Sequence, residues 1–441
     1  MKRFTTFILY FACIVILLSS CSLFRKIKST RIPPPVTKQP LPKEEKPAPA
    51  EKEAALPAPF HVKAFAKKVF RPVYNVALFT PLYLDQVTSD TAFSVNSRTP
   101  LPGPALAGLE FYEGALLALD SLQQQGIALH LFVYDTKSTS KPLSRILHSN
   151  QLDSTNLMIG AVGSDAFKEI SDVAKQKQIN FISATYPNDA GIRENPFVVI
   201  VNSTLRVHCH AIQDFAQQKF SDKNILVVYQ NNAQEKQNLQ YMQEAYNQMR
   251  YSRKSPLHPI EWKDTSATNL LPHLSKDKNN VIVLTALYPQ VALSIIGQLV
   301  PLAKTYRISV VGMPTLDGNQ NLKKPEYNGI DIYYSTPYPY SNAASVPAIR
   351  SMMWQFFRKY RSRPSDMALK GYETLFYFAE LLRHNGMYFN KALNSNTGHL
   401  LTDFDFRPIY KTEDDKQPPD YFENTHLYFM KIRDGKVMRA N

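Results

Sequence analysis

The chain has 441 residues, of which 44% are hydrophobic and 20% charged, and its formal net charge is +14 at pH 7. This length is sufficient for two domains and tails, and the composition excludes a wholly disordered protein. The positive charge favours weak attraction to anionic surfaces such as membranes or wall polymers. Nucleic acid is not expected as a partner, because no basic run interleaved with aromatic residues stands out.

The first 20 residues are typical of a secretory signal. Lys2 and Arg3 precede an apolar run over residues 7–18 that is too short to span a bilayer, and the segment ends in Leu-Ser-Ser-Cys at Cys21. This ending resembles the lipobox of bacterial lipoproteins. The resemblance implies a diacylated Cys21 as the mature N-terminus of a lipid-anchored protein in the cell envelope, facing the periplasm. A signal anchor with an incidental cysteine is the alternative.

Residues 21–70 are rich in Pro, Ala, Lys and Glu and cannot form a core, so we predict a disordered, extended linker. At about 3.1 Å per residue, some thirty residues would reach roughly 90 Å from the lipid. Cys13 lies in the signal and Cys21 is the predicted lipid site. Cys209 therefore has no partner for an internal disulfide.

Strands and helices are predicted to alternate from residue 74 onward. Residues 74–80 read as a strand and residues 81–104 as a long loop, and the helical spacing of apolar residues from Leu109 to Leu122 predicts a helix that Gly126 ends. A strand over 129–134 and a weaker helix over about 141–150 follow. This order predicts a mostly parallel sheet covered on both faces.

Residues 156–204 contain three short apolar runs, within 156–165, 179–187 and 197–204, that are typical of buried parallel strands. Small polar residues stand at their C-terminal ends, first at Gly163-Ser164 and then at Ser183-Ala184-Thr185. Ligands of such sheets bind in the crevice outside these strand ends. The stretch therefore predicts a cleft with hydroxyl and backbone donors, not a reaction centre.

The alternation then repeats. Helices are predicted over about 204–219, 233–249, 291–304, 344–360 and 366–384, and strands over 225–229, near 260, 281–284, 308–312 and 329–334. Residues 404–410 and 425–432 are predicted to close the fold as a strand pair. We therefore predict an α/β protein of two Rossmann-like lobes with a hinge and an interlobe cleft. Residues 71–201 and 336–400 are assigned to lobe 1, and residues 202–335 and 401–441 to lobe 2.

This ordered series resembles the type I periplasmic binding proteins, which include the receptors for branched-chain amino acids in ABC import. The matching segments are 74–80, 111–120, 133–135, 159–164, 182–185, 225–229, 281–288, 311–315 and 360–379. The resemblance covers residues 72–435, and no single motif carries it. The helix from Phe111 and the sequence Tyr421-Phe-Glu-Asn-Thr425 look especially like lipoproteins of Bacteroidetes-type bacteria. The peptidoglycan-binding LysM repeats that often accompany such lipoproteins have no counterpart here.

The resemblance implies ligand-binding residues in lobe 1. The family's amino-acid receptors hold the ligand carboxylate with a serine after the third strand, which is Ser164 here. The turn after the next strand adds hydroxyl and amide contacts, and it corresponds to Ser183, Ala184 and Thr185. The local alternative is that Ser164 caps the N-terminus of a helix over 165–176 and that Thr185 starts a turn.

In lobe 2 the resemblance is weaker. Tyr288 matches an aromatic position of the family. The acidic residue that meets the ligand ammonium in amino-acid receptors is replaced by Pro314 and Thr315, and Asp317 follows two or three residues later. An amino acid without this partner would leave a charge unpaired, at a cost of about 2–5 kcal/mol. The ligand is therefore predicted only as a small polar molecule.

Two functions remain open. One is a receptor that closes on a small molecule and delivers it to an ABC permease, for amino acids or related compounds. The other is a non-transport envelope lipoprotein that contacts peptidoglycan or regulates a wall synthase. No enzyme, cofactor or metal site is expected, because the known nucleophile, phosphate and zinc motifs are absent, and His208-Cys-His210 places its histidines on different sides of a helix. The aromatic run from Tyr333 to Tyr340 is interpreted as a hinge segment or lid beside the cleft.

Overall fold

The computed structural model describes residues 63–87, 101, 103–250, 254–263, 267–340, 346–395, 400–410 and 418–440. Ala58–Asn441 form one compact unit. The predicted signal peptide, Cys21 and the linker up to residue 62 lie outside the described residues. The prediction of a disordered linker is wrong for residues 63–70, because Lys63–Ala66 form a 3-10 turn whose Phe65 is buried in the core of lobe 1. Of the helices that the structure describes, none combines the length and the apolarity needed to cross a membrane.

Two sheets of seven strands organise the described chain. The first contains β1 (Tyr74–Thr80), β2 (Leu129–Asp135), β3 (Leu157–Gly160), β4 (Asn180–Ser183), β5 (Val198–Ile200), β11 (Phe406–Ile409) and β12 (Tyr421–Asn424). The second contains β6 (Lys223–Tyr229), β7 (Leu257–Glu261), β8 (Asn279–Leu284), β9 (Ile308–Gly312), β10 (Asp331–Thr336), β13 (Tyr428–Arg433) and β14 (Lys436–Arg439). We call the two halves lobe 1 and lobe 2.

The strand orders are those of doubly wound sheets. Lobe 1 has the order β11-β12-β5-β4-β3-β1-β2, and lobe 2 has the order β14-β13-β10-β9-β8-β6-β7. All neighbours are parallel except β11 with β12, β10 with β13, and β13 with β14. Helices cover the faces, so the central strands are buried on both sides and consist of continuous apolar runs.

The helices are α1 (Leu84–Val87), α2 (Gly103–Gln124), α3 (Leu143–Leu147), α4 (Ser164–Lys177), α5 (Leu205–Lys219), α6 (Ala233–Gln248), α7 (Pro289–Leu302), α8 (Pro347–Tyr360) and α9 (Asp366–Asn385). α2 and α9 make the closest helix pair. A Cβ on Gly114 would lie 1.9 Å from the carbonyl oxygen of Ala368, and one on Gly371 would lie 2.0 Å from that of Phe111. Only glycine at these two positions allows the backbones to approach so closely.

The chain passes between the lobes three times. The first crossing joins β5 to α5 (residues 201–204), the second follows β10 and leads to α8 (described residues 337–340 and 346), and the third joins β12 to β13 (residues 425–427). The side chains before and after each crossing belong to different hydrophobic cores, one in lobe 1 and one on each face of the lobe 2 sheet. Two lobes with separate hydrophobic cores, joined by three short connections, are the architecture expected of lobes that move about a hinge.

The C-terminal segment differs from the prediction. Residues 404–410 and 425–432 do not pair with each other. Instead, β11 pairs with β12 in lobe 1, whereas β13 pairs with β10 and β14 in lobe 2. The assignment of residues 401–441 to lobe 2 is therefore wrong for β11 and β12. Apolar periodicity identifies a strand but not its partner, and the short strand β12 was hidden beside a polar, Pro-containing loop.

Candidate functional site

The C-terminal ends of β1, β3 and β4 lie side by side at one edge of the lobe 1 sheet. Phe79 is in register with Gly160, and Gly160 is in register with Ser183. Ser164 is exposed and begins α4, whose N-cap is Gly163, and no side chain caps this helix end. The alternative in which Ser164 is the N-cap of this helix is therefore wrong. Its hydroxyl accompanies free backbone N–H groups at a helix N-terminus, which favours anions.

The turn after β4 is largely engaged within the protein. Ser183 and Ala184 are fully buried. The Ala184 N–H donates to the carbonyl of the last residue of β3 at 2.9 Å, and the Ala184 carbonyl accepts from the Tyr338 hydroxyl at 2.9 Å. The Ser183 hydroxyl has no hydrogen-bond partner among the described residues. Thr185 is half-buried, so Ser164 and Thr185 are the accessible members of the predicted lobe 1 set.

The predicted lobe 2 residues follow the C-terminal ends of the parallel neighbours β8 and β9. Tyr288 is the N-cap of α7 and is 75% exposed. Thr315 is exposed within a short 3-10 turn, Pro314–Leu316, and Asp317 ends that turn. These residues therefore share one edge of the lobe 2 sheet.

A tyrosine of the second crossing connects the two lobes. Tyr338 is buried, and its hydroxyl holds the Ala184 carbonyl as described above. Nζ of Lys370, in α9, lies 4.5 Å from the centroid of the Tyr338 ring, a cation–π arrangement. Loss of hydration lowers the pKa of Lys370, whereas the negative charges of Asp366 and Asp317 act in the opposite direction. This ammonium group thus lies against the ring that holds the β4 turn of lobe 1, and the charge of Asp317 in lobe 2 also acts on it.

Asp317 is held from the lobe 2 side. Burial of its carboxyl raises its pKa, and hydrogen bonds with Thr336 and Tyr334 lower it. Asp317 as a whole residue remains exposed. Of the predicted site residues, Ala184 is bonded to Tyr338 of the second crossing, and Asp317 is bonded to residues of β10, the strand that leads into this crossing.

Glu373 fixes the second crossing from the side of α9. This buried carboxylate accepts hydrogen bonds from the Tyr340 hydroxyl at 2.7 Å, the Thr402 hydroxyl at 2.7 Å, the Thr402 N–H at 3.0 Å and the Leu401 N–H at 2.9 Å. Burial raises the pKa of Glu373, and the donors lower it. Since the rings of Tyr340 and Tyr338 stack with centroids 5.3 Å apart, this network also positions Tyr338.

A cavity of about 840 Å³ opens between the lobes beside the first and third crossings. Lobe 1 contributes a loop (residues 187–193), β12 and the end of β11, and lobe 2 contributes α5 and α6. Its polar walls include the Arg206–Glu244 ion pair at 3.2 Å and Asp189, which accepts a hydrogen bond from the Tyr421 hydroxyl at 2.9 Å. The volume is that of a small-molecule site, but none of the predicted ligand-binding residues lines it.

Glu423 is a buried acid in the wall of this cavity. Its Oε1 accepts a hydrogen bond from the Thr204 N–H at 2.6 Å. Burial raises the pKa of Glu423 to about 7, whereas the hydrogen bonds from Thr204 lower it. Because Thr204 belongs to the first crossing and Glu423 lies in β12, two residues before the third, this bond ties the first crossing to the strand that leads into the third.

The His208-Cys209-His210 sequence serves the packing of α5. His208 Nδ1 lies 2.8 Å from Ser335 Oγ, and burial lowers the pKa of His208 to about 3. Cys209 is buried in the adjoining core. Within the described part of the chain, no group of His, Cys, Asp or Glu side chains is arranged to hold a metal ion.

Sequence reasoning missed Lys370, Glu423 and the cavity that Glu423 lines. The predicted helix that contains Lys370 places this residue among apolar neighbours, which is a usable signal, whereas β12 was not predicted as a strand and gave none for Glu423. Ionisable residues in such positions either need partners or mark a site. The aromatic run from Tyr333 to Tyr340, for which the sequence predicts a hinge segment or lid, lies at the end of β10 and the start of the second crossing.

Three solved structures illustrate the similarity in fold. A putative branched-chain amino acid ABC transporter from Rhodospirillum rubrum has 13% sequence identity and a TM-score of 0.60, and the match covers 84% of this chain and 100% of that chain. A branched chain amino acid ABC transporter periplasmic ligand-binding protein from Burkholderia xenovorans has 12% identity, coverage of 83% and 94%, and a TM-score of 0.57. An ABC transporter substrate-binding protein from Desulfitobacterium hafniense, complexed with Leu, has 11% identity, coverage of 83% and 99%, and a TM-score of 0.51.

These identities show the fold alone, and they confirm the predicted pair of Rossmann-like lobes. A search of curated protein sequences finds no match. The family model described as "Periplasmic binding protein" matches residues 99–436, which is more than half of the chain. Members of that family are extracytoplasmic solute-binding proteins. The chain therefore belongs to the periplasmic binding protein family, as its ordered strands and helices predict.

Proposed function

We propose that this protein is a lipid-anchored, extracytoplasmic receptor that closes its two lobes on a small polar ligand bearing an anionic group. It serves an ABC importer of amino acids or related compounds and has no catalytic role. The lipid is attached at Cys21, and the linker up to residue 62 spaces the lobes from the bilayer. Replacement of Cys21 by Ser is expected to move the protein from the membrane fraction to the soluble fraction.

The observation that carries the proposal is the position of the Lys370 ammonium. It lies against the Tyr338 ring at 4.5 Å, and Tyr338 in turn holds the β4 turn through Ala184. A half-buried cation beside a hinge segment attracts an anion more strongly than an exposed lysine does, because less water screens it. The exposed N-terminus of α4 at Ser164 supplies neutral donors on the same edge of lobe 1.

The charge of Asp317 narrows the class of ligand that is expected to bind. In this chain its negative charge already interacts with Lys370, so it is less available to a ligand ammonium. The arrangement therefore favours a ligand whose carboxylate competes for Lys370, with the ammonium, where there is one, taken by Asp317 after the lobes close. Organic acids and amino acids with an additional carboxylate fit this charge pattern best.

Thermal-shift screening followed by calorimetry tests the proposal. A panel of amino acids, dicarboxylates and their amides is added to the folded unit Ala58–Asn441, and a ligand at one hundred times its Kd should stabilise the protein by about 2.7 kcal/mol. Ser164→Ala and Lys370→Met are each expected to weaken the calorimetric affinity at least tenfold. The exposed Ser144→Ala is the matched control and should leave the affinity unchanged.

The interlobe cavity is the alternative site for the ligand, and a variant of its wall distinguishes the two sites. If Arg206→Gln weakens binding and Ser164→Ala does not, the ligand lies in the cavity beside α5 and the assignment to the strand ends is wrong. If no compound of the panel shifts the melting temperature, the receptor proposal loses its support.

A non-transport envelope role is the second candidate, and the engagement of Asp317 with Lys370 is the observation that favours it. A family member whose cleft charges of opposite sign partly offset each other has less need of a ligand to neutralise them. In that case the fold contacts peptidoglycan or a wall synthase by its surface. Co-sedimentation with purified sacculi, in the absence of any ligand-induced thermal shift, is the result expected for this role.

A further inference from the structure

One face of α8 is exposed and carries only aromatic, basic and neutral polar residues. We define the α8 face by Arg350, Trp354, Phe357, Arg358 and Arg361, which recur at helical spacing along one side. All five are exposed. The opposite side of the helix packs into the core of lobe 1 through Ile349, Met352 and Phe356.

The aromatic residues of the α8 face are unusually accessible for their size. Trp354 is 61% exposed and Phe357 is 41% exposed. Their rings stack on one another, with centroids 6.0 Å apart and an interplanar angle of 21°. A stacked tryptophan and phenylalanine at the surface leave a contiguous apolar area in water, and burial of this area against a partner would be favourable.

The segment that contains α8 carries only positive charges. Residues 346–364 contain five basic residues and no acidic residue. Lys359 is neutralised by Asp120 at 2.6 Å, but the arginines of the α8 face form no ion pair with any residue that the structure describes. The run from Trp354 to Arg363 does interleave basic and aromatic residues, so the expectation that the chain lacks such a run is wrong.

We propose that the α8 face binds the surface of an anionic phospholipid bilayer. Tryptophan and phenylalanine partition into the headgroup boundary, and arginines on the same helix pair with anionic headgroups. The extracytoplasmic location of the family places the face in a compartment bounded by membrane, and the net charge of +14 has the complementary sign. The inference needs neither the lipid at Cys21 nor a ligand in the cleft.

Binding through the α8 face would fix the orientation of the protein on the bilayer. α8 packs on lobe 1, so binding through its outer face holds lobe 1 against the bilayer and leaves lobe 2 to move about the three crossings. A tethered protein would then have one preferred orientation instead of turning freely on its linker.

The folded unit Ala58–Asn441 is mixed with vesicles of phosphatidylglycerol and, separately, of phosphatidylcholine. The chain has two tryptophans, and Trp262 is only 8% exposed, so Trp354 dominates any change in emission at the surface. The expected result is a blue shift and co-sedimentation with phosphatidylglycerol only, both weakened in high salt. The shift should be absent in Trp354→Phe.

Charge reversal provides the matched comparison. The triple variant Arg350→Glu, Arg358→Glu and Arg361→Glu should lower vesicle affinity by about 100-fold or more, since each basic residue near the surface contributes about fivefold. A control with the same change in net charge reverses three exposed lysines of lobe 2, Lys276, Lys278 and Lys436, and should lose no more than a few-fold. Circular dichroism verifies that both variants are folded.

Three results would overturn the inference. The first is the absence of a blue shift with anionic vesicles. The second is an equal loss of affinity in the lobe 2 control, which would show that net charge alone attracts the protein. The third is binding of the α8 face to a partner other than lipid. Binding to soluble heparin as tightly as to vesicles would identify a polyanion as that partner, and self-association that buries Trp354 without lipid would identify a second copy of the chain.

Discussion

Glu423 offers the sharpest test of the interlobe geometry, because its titration is displaced towards neutral pH by burial. Its carboxyl has a pKa of about 7 in the folded protein, compared with 4.5 for an unperturbed glutamate. Below the lower value both the folded and the unfolded states carry the proton. Between the two values only the unfolded chain releases it, so stability falls as pH rises and levels off above about 7.

The magnitude follows from the two pKa values. A difference of this size corresponds to about 3 kcal/mol, since one pKa unit is 1.36 kcal/mol. Most of it, about 2.5 kcal/mol, develops between pH 5 and pH 8. Glu423→Gln cannot ionise but keeps an oxygen that accepts the Thr204 N–H. The difference between the unfolding free energies of wild type and Glu423→Gln should therefore change by about 2.5 kcal/mol across this range, in favour of the variant at the higher pH.

Urea denaturation followed by circular dichroism at several pH values between 5 and 8 measures this difference. The matched control is Glu194→Gln, which makes the same change of charge on a side chain that is 58% exposed, and its profile should follow the wild type. Parallel profiles for wild type and Glu423→Gln would refute the buried, hydrogen-bonded carboxylate at this crossing.

Three further predictions concern packing and the hinge. Gly371→Ala should lower the free energy of unfolding, measured in urea, by about 1–3 kcal/mol or more, because its Cβ would lie 2.0 Å from a carbonyl of α2. Gly103→Ala, whose Cβ would have nothing within 4 Å, should be nearly neutral, and equal effects of the two variants would contradict the close pairing of α2 and α9. Tyr338→Phe should cost about 1–2 kcal/mol in the same assay through loss of the bond to Ala184, and an unchanged urea midpoint would argue against that bond. Lys370→Met should abolish the charge dependence of ligand binding, measured as the ratio of calorimetric affinities for an acid and its amide, and a ratio equal to that of wild type would remove Lys370 from the site.

Much of the candidate site was predictable, but unevenly. Ser164 and Thr185 follow strands whose apolar runs are plain in the sequence, and both are accessible at the expected edge of the sheet. The accompanying detail was less successful: Gly163, not Ser164, is the N-cap of α4, because the helix starts one residue earlier than the pattern suggests. Whether these residues contact a ligand remains a prediction for the calorimetric test.

The sequence by itself determined the alternation of strands and helices, because the period of apolar residues along a helix or a buried strand is a local property. It was also enough for the fold class, since parallel strands joined by helices have few ways to pack. Only the tertiary structure decided that β12 enters the lobe 1 sheet, that Glu423 is buried beside Thr204, and that Lys370 lies against the Tyr338 ring. Each of these depends on contacts between segments far apart in the chain, and those contacts set the burial and charge that the local pattern does not contain.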